Sequence, residues 1–373
     1  MSPILPLSRG SRHADETSAR IQLFGTRWPL ALLAVGLLAT QGCKKEEAPP
    51  APTPAPAPAA PKPKAAAPAT GTNAVAGGGE AVDLRLKWPV GKRYLQRMDV
   101  AQESETTMPG LPQPTKTESA QSQDYSLSVL KEREGGGQEL ELEFVAQKID
   151  SKAGGRALVT FDSKSDAKGD RTNAVATALR KLVGVKIHYL TDTNGRIEKV
   201  VGAEELQSKL LATVNPQARV ILGPLLAEEN LRRVVTLDLD LPVKPVKVGD
   251  SWPVLRDTHM GQLGTLQISS TNTFKGWEEH AKRRCAVIEF TGGVTSKPGA
   301  PAAPSAIPVS MTVESGRISG KSWFDPVSGM IVDSFTDQEM TMKITTAGRS
   351  MESKTRNKIA VKVIETGDAP KAN

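Results

Sequence analysis

Apolar and polar side chains alternate along most of the chain beyond residue 83, and a period of two with one polar face predicts half-buried antiparallel strands. The alternation is clear in residues 84–88, 125–129 and 140–144. It returns later, and we expect further strands over residues 237–241, 263–275, 284–291, 309–323, 329–346 and 355–365. A proline-rich excursion over residues 105–121 is too polar to belong to a core, and a second proline-rich excursion lies between two expected strands at residues 296–308.

The spacing of apolar residues changes to that of helices in the middle of the chain. Val175, Leu179 and Leu182 recur at helical spacing before Gly184, which predicts a short helix that ends at this glycine. Residues 186–190 and 196–201 flank the sequence Asp-Thr-Asn-Gly, a strong hairpin-turn signal. A second helix is expected from residue 203 to 214. A third begins after residue 216, is interrupted at residues 223–224 and runs on to about residue 233.

Two short patterns occur twice in the same order. Residues 90–94 and 248–252 both read Val-Gly, then two polar or charged residues, then an aromatic residue. Residues 189–197 and 323–331 share an aromatic start, a glycine six positions later and an isoleucine two positions beyond it. Patterns this short also arise by chance, so an internal duplication and a coincidence are both open interpretations.

We therefore predict an α+β fold that is mainly antiparallel β, with two similar curved sheets and a few helices packed on a concave face. The expected divisions are a signal peptide over 1–42, a linker over 43–80, a first β-rich repeat over 81–205, a helical connection over 206–235, a second β-rich repeat over 236–366 and a disordered tail over 367–373.

The beginning of the chain has the order of a secretory signal. Four arginines precede an apolar run from Trp28 to Ala39, and small or polar residues lead from there to Cys43. The run is shorter than the roughly 20 residues of a membrane-spanning helix. The segment resembles a bacterial lipoprotein signal, which implies cleavage after Gly42 and a thioether between the Cys43 thiol and diacylglycerol. An ordinary cleaved secretory signal is the alternative.

The segment after Cys43 is rich in Ala-Pro pairs. Such pairs favour the polyproline II conformation, and residues 44–80 would reach on the order of 100 Å if fully extended. The segment is either a spacer that holds a domain away from a membrane or a low-complexity linker without a length requirement. The resemblance to lipoprotein signals implies that Lys44, which follows the lipid-bearing cysteine, is compatible with the outer membrane.

Together these features resemble a family of uncharacterised bacterial lipoproteins. The resemblance rests on the signal, the Ala/Pro linker, the motif Trp-Pro-Val-Gly-Lys-x-Tyr at Trp88–Tyr94 and the hairpin Phe324–Ile331. It implies an exported envelope lipoprotein, most simply one on the outer membrane that faces the periplasm, and it implies no activity. In architecture the chain also resembles lipoprotein-carrier-like half-barrel envelope proteins, in which a curved sheet wraps helices and holds acyl chains.

Charge and cysteine content narrow the possibilities further. The formal charge of the whole chain is +7, and it falls when the four arginines of the signal and two acidic residues are removed. Basic and acidic residues are interspersed, which favours a solvated surface over nucleic-acid binding. If Cys43 carries lipid, Cys285 is the one thiol left, so packing must stabilise the fold without an intramolecular disulfide.

A search for catalytic or metal-binding motifs finds no convincing site. His188, His259 and His280 lack the spacing of a zinc site, and no Gly-x-Ser-x-Gly motif occurs. Asp192 opens a sequence that resembles the start of a calcium loop, but the closing glutamate is missing. Cys285 is interpreted as a small core residue. We therefore expect no metal, no cofactor and no enzymatic activity.

Apolar binding is the remaining possibility. Helical leucines and valines in the middle of the chain are expected either to form ordinary core or to line a pocket under the sheet. The candidate residues are Leu206, Leu210, Val220, Leu225 and Leu226. Three hypotheses follow: a lipid-anchored envelope protein that binds an apolar ligand or another envelope component, an assembly factor that acts through a protein partner, and, as the weakest, a hydrolase.

Overall fold

A computed structural model gives the structure of the protein. It describes residues 81–110, 113–166, 173–214, 226–237, 240–259, 264–297, 309–346 and 349–369, with the single positions 79, 168, 219 and 223. The predicted signal and linker, with Gly42 and Cys43, lie outside the described residues. So do Val220, Leu225, the side chain of His259, most of the second proline-rich excursion and the end of the predicted tail.

The described residues form twelve strands and three helices. The strands are β1 (Lys92–Thr107), β2 (Thr115–Glu132), β3 (Gln138–Ala153), β4 (Arg156–Asp162), β5 (Lys186–Thr191), β6 (Ile197–Val201), β7 (Ser251–His259), β8 (Thr265–His280), β9 (Arg283–Lys297), β10 (Val309–Asp325), β11 (Met330–Thr346) and β12 (Arg349–Asp368). The helices are α1 (Ala174–Arg180), α2 (Ala203–Ala212) and α3 (Glu228–Thr236).

All twelve strands belong to one antiparallel sheet. Its order is β6-β5-β3-β2-β1-β12-β11-β10-β9-β8-β7, and β4 pairs with β3 beside this path. The predicted class, mainly antiparallel β with a few helices, is confirmed. The prediction of two sheets needs correction, because β12 pairs with β1 on one side and β11 on the other and so joins the two halves into a continuous sheet.

The two halves of the sheet repeat the same strand order. The strand order β1-β2-β3-β5-β6 in the first half corresponds to the strand order β7-β8-β9-β10-β11 in the second. The turn before each first strand makes the same contact: Gly91 N donates to Val129 O at 2.9 Å, and Gly249 N donates to Phe274 O at 2.7 Å. Both glycines have positive φ, which suits glycine. This correspondence supports the interpretation of the short sequence patterns as an internal duplication.

A short segment before β1 joins the two halves, and we call residues Val82–Trp88 the connecting segment. Val82 exchanges backbone hydrogen bonds of 2.8 and 2.9 Å with Val246, which precedes β7. Leu84 is buried in a cluster with second-half residues such as Phe324, whereas Trp88 is buried in the first-half core. The connecting segment therefore contributes to the packing of both halves.

Apolar burial is divided among three clusters. The largest packs the inward face of the first-half strands against the three helices, and the connecting segment contributes to the second. The third lies on β8 to β11, away from the helices. Its buried members are Leu266, Ile268, Val294, Met311, Ile318, Met340, Met342 and Ile344.

Several local predictions agree with the structure and three do not. The hairpin at Asp192–Gly195 and the helices after residues 173 and 202 form as expected. The strand expected at residues 84–88 does not form, since these residues lie outside the strands in the connecting segment. The excursion over 105–121 is mostly strand, because β1 continues to Thr107 and β2 begins at Thr115. Leu237 ends helix α3, and residues 240 and 241 lie outside the strands, so the described positions of the strand predicted at 237–241 do not form one. Within the described ranges, no helix has the length and apolarity needed to cross a membrane.

Candidate functional site

A cavity of about 110 Å³ lies between the inward face of the sheet and helix α3. Its floor comes from five adjacent strands, β3, β2, β1, β12 and β11, whose cross-strand register places the lining residues side by side. The floor residues that line it inward are Phe144, Gln147, Gln123, Tyr125, Gln96, Met98, Val361, Ile359, Thr336 and Ser334. Half of these floor residues have polar side chains, but most of the lining surface is apolar, and the amides are grouped on three neighbouring strands.

Helix α3 forms the roof of the cavity. Asn230, Arg233, Val234 and Leu237 line it, and their spacing of three, four and seven positions puts them on one face of the helix. The buried hydroxyl of Tyr189 on β5 donates to Leu231 O at 3.0 Å and fixes the height of the roof above the sheet.

A second contact clamps α3 laterally to β6. The Arg232 guanidinium donates to the carbonyl oxygens of Ile197 and Glu198 at 2.6 and 2.8 Å, and it also pairs with Glu228 one turn earlier at 2.7 Å. With the Tyr189 hydroxyl, this clamp holds the roof at a defined position over the floor.

The end of α3 carries backbone strain beside the cavity. Leu237 has φ 53 at the position after the helix where glycine is usual, and a non-glycine residue there costs on the order of 1 kcal/mol. The leucine side chain lines the cavity, which a glycine at this position would leave wider. Such strain concentrates at functional sites, so its place next to the cavity is consistent with a binding role.

The amides on the floor differ in how they are satisfied. The Gln123 side-chain oxygen accepts a short hydrogen bond from the Tyr125 hydroxyl, and burial raises the pKa of that hydroxyl well above its usual range. Gln96 is 1% exposed, and neither of its amide atoms has a hydrogen-bond partner among the described residues. The Gln147 amide oxygen likewise has none. Buried polar atoms without partners are costly, so these two side chains require an explanation.

A β-bulge brings Gln147 to the cavity. The pairing of β2 with β3 shifts between Asp124 and Tyr125, and Val145 is the extra residue on β3. Positions 140, 142 and 144 face inward before the bulge, and positions 147, 149 and 151 face inward after it. Without the extra residue, Gln147 would lie on the opposite face of the sheet.

The charged groups around the cavity are compensated. Arg97 forms a two-point ion pair with Asp124 at 2.7 and 2.8 Å on the outer side of the strands. Arg233 pairs with Glu229 at 3.4 Å along α3. Each guanidinium next to the cavity thus has a carboxylate beside it, and the net formal charge of these four groups is zero.

Uncharged polar residues continue along the sheet interior beyond the cavity. One cross-strand row contains only amides and hydroxyls, and all of its members are buried. From β11 to β3 this row, which we call the polar row, is Gln338, Asn357, Gln102, Ser119 and Ser151. The Ser119 and Ser151 hydroxyls and the Asn357 amide oxygen have no partner among the described residues.

An open cleft of about 550 Å³ lies on the other side of α3. It is bounded by the connecting segment, the β5–β6 turn, α3 and the segment before β7, and its apolar lining includes the exposed Val243 and Leu255. Arg233 lines both this cleft and the interior cavity. The Arg233–Glu229 pair therefore stands between the cavity and solvent.

The leucines predicted to line a pocket occupy the core. Leu226 is 1% exposed, and Leu206 and Leu210 are partly buried against the same first-half cluster. None of the three lines the interior cavity. Sequence analysis missed the amides of the cavity. A signal that could have found Gln123 is the alternation in β2, which continues in the same parity from Tyr125 back through Gln123 and Gln121.

The described histidines and Cys285 lie outside the lining of the interior cavity. No group of three or more histidine, cysteine or acidic side chains in the described part is placed to hold a metal ion. His188 contacts Glu139 and Glu141 at 3.3 and 3.5 Å, and His280 contacts Asp333 at 3.2 Å. The Cys285 thiol is buried in the core. Its pKa rises to about 11, chiefly through burial and then through Asp325.

The fold and the cavity together define a β-rich domain with an interior, amide-lined pocket under a helix. The chain belongs to a family of unknown function (DUF6263), whose family model matches residues 136–331, more than half of the chain. No curated protein matches it.

Solved structures resemble the chain only distantly. A structure that describes lipid–protein interactions in lipovitellin is 10% identical, with a TM-score of 0.41, and the match covers 77% of this chain and 27% of that one. OccK7 (OpdD) of Pseudomonas aeruginosa is 7% identical with a TM-score of 0.22, covering 74% and 100% of the two chains. An outer membrane channel from Pseudomonas putida F1 is 9% identical with a TM-score of 0.19, covering 76% and 98%. These scores are too low to carry an argument about function.

Proposed function

We propose that the protein is a non-enzymatic lipoprotein of the bacterial cell envelope whose domain binds a ligand with an apolar part in the cavity under α3. Export and anchoring rest on the signal-like segment and Cys43, with the outer membrane facing the periplasm as the proposed location. The observation that carries ligand binding is a largely apolar interior cavity next to an open cleft.

The size of the cavity limits what it accepts. Its volume of about 110 Å³ is smaller than the roughly 300–1,000 Å³ of pockets for drug-sized ligands. It suits a short apolar chain or one end of a longer molecule that continues into the cleft. The cavity volume thus adds a size limit to the apolar ligand expected from the sequence.

Substitution of each of the two cysteines in turn tests the proposed anchoring. The parent chain and a Cys285→Ala variant should partition into detergent and incorporate labelled palmitate, because both keep the Cys43 thiol. A Cys43→Ala variant should lose the label and move to the aqueous phase. If that variant stays as firmly in the membrane fraction as the parent, the proposed anchoring is wrong.

Ligand binding is tested by filling the cavity. Calorimetry with 1-hexanol should show saturable binding to the parent chain, with a negative heat-capacity change from apolar burial. Met98→Trp places a larger side chain in the cavity and should abolish binding, whereas Val201→Trp, at a 43%-exposed site on β6, should leave it unchanged. Absence of binding to the parent, or equal binding to both variants, contradicts the proposal.

The second candidate is an assembly role through a protein partner. It is favoured by the edge strand β7, which pairs only with β8 among the described strands and carries Leu255 at 68% exposure. Crosslinking to one envelope protein, together with an empty cavity, would support this role over ligand binding. The hydrolase hypothesis would return only if the chain showed turnover that a single Ser, Asp or His substitution abolished.

A further inference from the structure

The unpartnered amides of the cavity indicate which kind of polar group a bound ligand carries. Gln96 presents one buried donor group and one buried acceptor, and Gln147 presents a buried acceptor, with no partner for any of them in the described structure. A hydrocarbon chain alone would leave all of these atoms unsatisfied, at a cost of about 1–3 kcal/mol each. A ligand carboxamide, with one acceptor oxygen and two N–H donors, can satisfy all three, whereas a hydroxyl, with a single O–H donor, can satisfy the Gln96 donor and one of the two acceptors.

The charged side chains around the cavity disfavour a ligand with an ionised group. Arg233 has Glu229 beside it and Arg97 has Asp124, so the cavity offers an anion no uncompensated positive charge. Burial of a charge without a counter-charge is strongly unfavourable. An ionised carboxylate or ammonium group therefore fits the cavity poorly, although it has the size to enter.

Nothing but amides and hydroxyls occupies the polar row further along the same inward face. Ser119, Ser151 and Asn357 have buried polar atoms without described partners there too. Gln96 and Gln102 are six positions apart on β1, roughly 20 Å along a strand. Uncharged hydrogen-bonding groups thus continue along the inward face of these strands from the cavity to the polar row, and the cavity under α3 has room for a ligand.

The geometry points to an amphipathic ligand whose buried end is an uncharged hydroxyl or carboxamide, held by Gln96 and Gln147, with its apolar part against Met98, Phe144 and Ile359. This inference rests on the proposed ligand-binding function and adds the chemical class of the ligand. Gln96 and Gln147 act here as binding residues, and no chemical step is involved.

Four six-carbon probes of similar shape test the inference: hexane, 1-hexanol, hexanamide and hexanoate at neutral pH, compared by ligand-observed NMR on the full chain. The alcohol and the amide should bind at least tenfold more tightly than the alkane and the ionised acid, because sites built for hydrogen bonds reject analogues that lack them. Equal binding of hexane and 1-hexanol would overturn the inference and leave the proposed function intact. Tightest binding by hexanoate would overturn the uncharged class.

Gln96→Leu supplies the decisive variant. It should reduce the preference for 1-hexanol over hexane by tenfold or more, and it should not lower the thermal stability of the ligand-free chain, since it removes a buried amide without a described partner. Gln338→Leu is the matched control: Asn357 donates to Gln338 and Gln338 donates to Met340, so this change should lower stability and leave probe preference unchanged. If Gln96→Leu destabilises the chain and leaves the preference intact, Gln96 has a structural role and the inference is wrong. If no probe binds the parent, ordered water alone fills the cavity and the proposed function fails as well.

Discussion

Trp88 donates its indole N–H to the carbonyl oxygen of Gly195 at 2.7 Å, across 107 positions of sequence. One residue earlier, Lys87 N donates to Gly329 O at 3.0 Å. Gly195 and Gly329 occupy equivalent places in the β5–β6 and β10–β11 hairpins, so the connecting segment bonds the same turn in both halves of the sheet. The segment that follows the predicted linker thus lies where the two halves of the sheet meet.

Trp88→Phe should lower the free energy of unfolding by at least about 1–2 kcal/mol, because Gly195 O loses its buried donor and the smaller ring fills less of the site. Urea denaturation of the full chain measures the change. Trp252→Phe is the matched control: its indole N–H donates to Asp240 O at 2.8 Å at an exposed site, and its effect should be smaller. Equal losses in the two variants would show that the Trp88–Gly195 hydrogen bond contributes no more to stability than the exposed Trp252–Asp240 hydrogen bond.

Two glycines of similar conformation separate strain from crowding. Gly91 and Gly195 have φ of 81 and 77, so alanine is strained at either position by on the order of 1 kcal/mol. A Cβ at Gly91 meets nothing within 4 Å, whereas one at Gly195 would lie 2.5 Å from Leu86 O. Gly195→Ala should therefore destabilise the chain by at least about 1–3 kcal/mol more than Gly91→Ala. Thermal unfolding of both variants checks this, and similar melting temperatures would contradict it.

Much of the fold was predictable from the sequence because its strands follow simple rules. Alternation located most strands, and the Asp-Thr-Asn-Gly turn located the hairpin before Ile197. Strand pairing between distant segments was not predictable in the same way. Nothing local in β1 or β12 shows that they pair, yet that pairing turns two expected sheets into one.

The candidate site was harder to predict than the fold. In a sequence, polar residues on the inward face of a strand cannot be distinguished from residues at its solvent-exposed ends. Sequence analysis therefore missed Gln96 and Gln123. Gln147 faces inward only because of the bulge at Val145, and a one-residue insertion in the pairing leaves no clear mark in a single sequence. Of the predicted leucines, Leu206 and Leu210 lie on helix α2, and Leu226, which lies in a turn before α3, packs as ordinary core.

The Arg97–Asp124 pair predicts a loss of stability in acid. Hydrogen bonds from Arg97, followed by its charge, lower the pKa of Asp124 below its ordinary value of 3.8. The folded state thus binds the proton less tightly than the unfolded state. The stabilisation is complete above about pH 4 and is lost as pH falls through the lowered pKa. Because Arg97 is half exposed, the contribution should be only about 0.5–1 kcal/mol.

A double-mutant cycle measures this pair. Asp124→Asn, Arg97→Gln and the double variant are compared by urea denaturation at neutral pH and again below pH 4. The coupling energy should be present at neutral pH and shrink in acid. A coupling that is zero at neutral pH, or that does not change with acidification, would show that the pair does not stabilise the fold.

Cys285 is predicted to be an unreactive thiol in the folded protein. Burial, with Asp325 second, raises its pKa from 9.0 to about 11, so the thiolate fraction near neutral pH is about 100-fold lower than for an ordinary cysteine. In a Cys43→Ala chain, a disulfide reagent should label Cys285 slowly under native conditions and rapidly in concentrated urea.

The sign of the Cys285 pKa shift gives a second test. Between about pH 9 and 11 the unfolded thiol ionises while the folded thiol keeps its proton, so stability should fall with rising pH, and Cys285→Ala should remove that part of the fall. Rapid native labelling with an apparent pKa at or below 9 would mean that the thiol is accessible and would reopen the possibility of chemistry at this position.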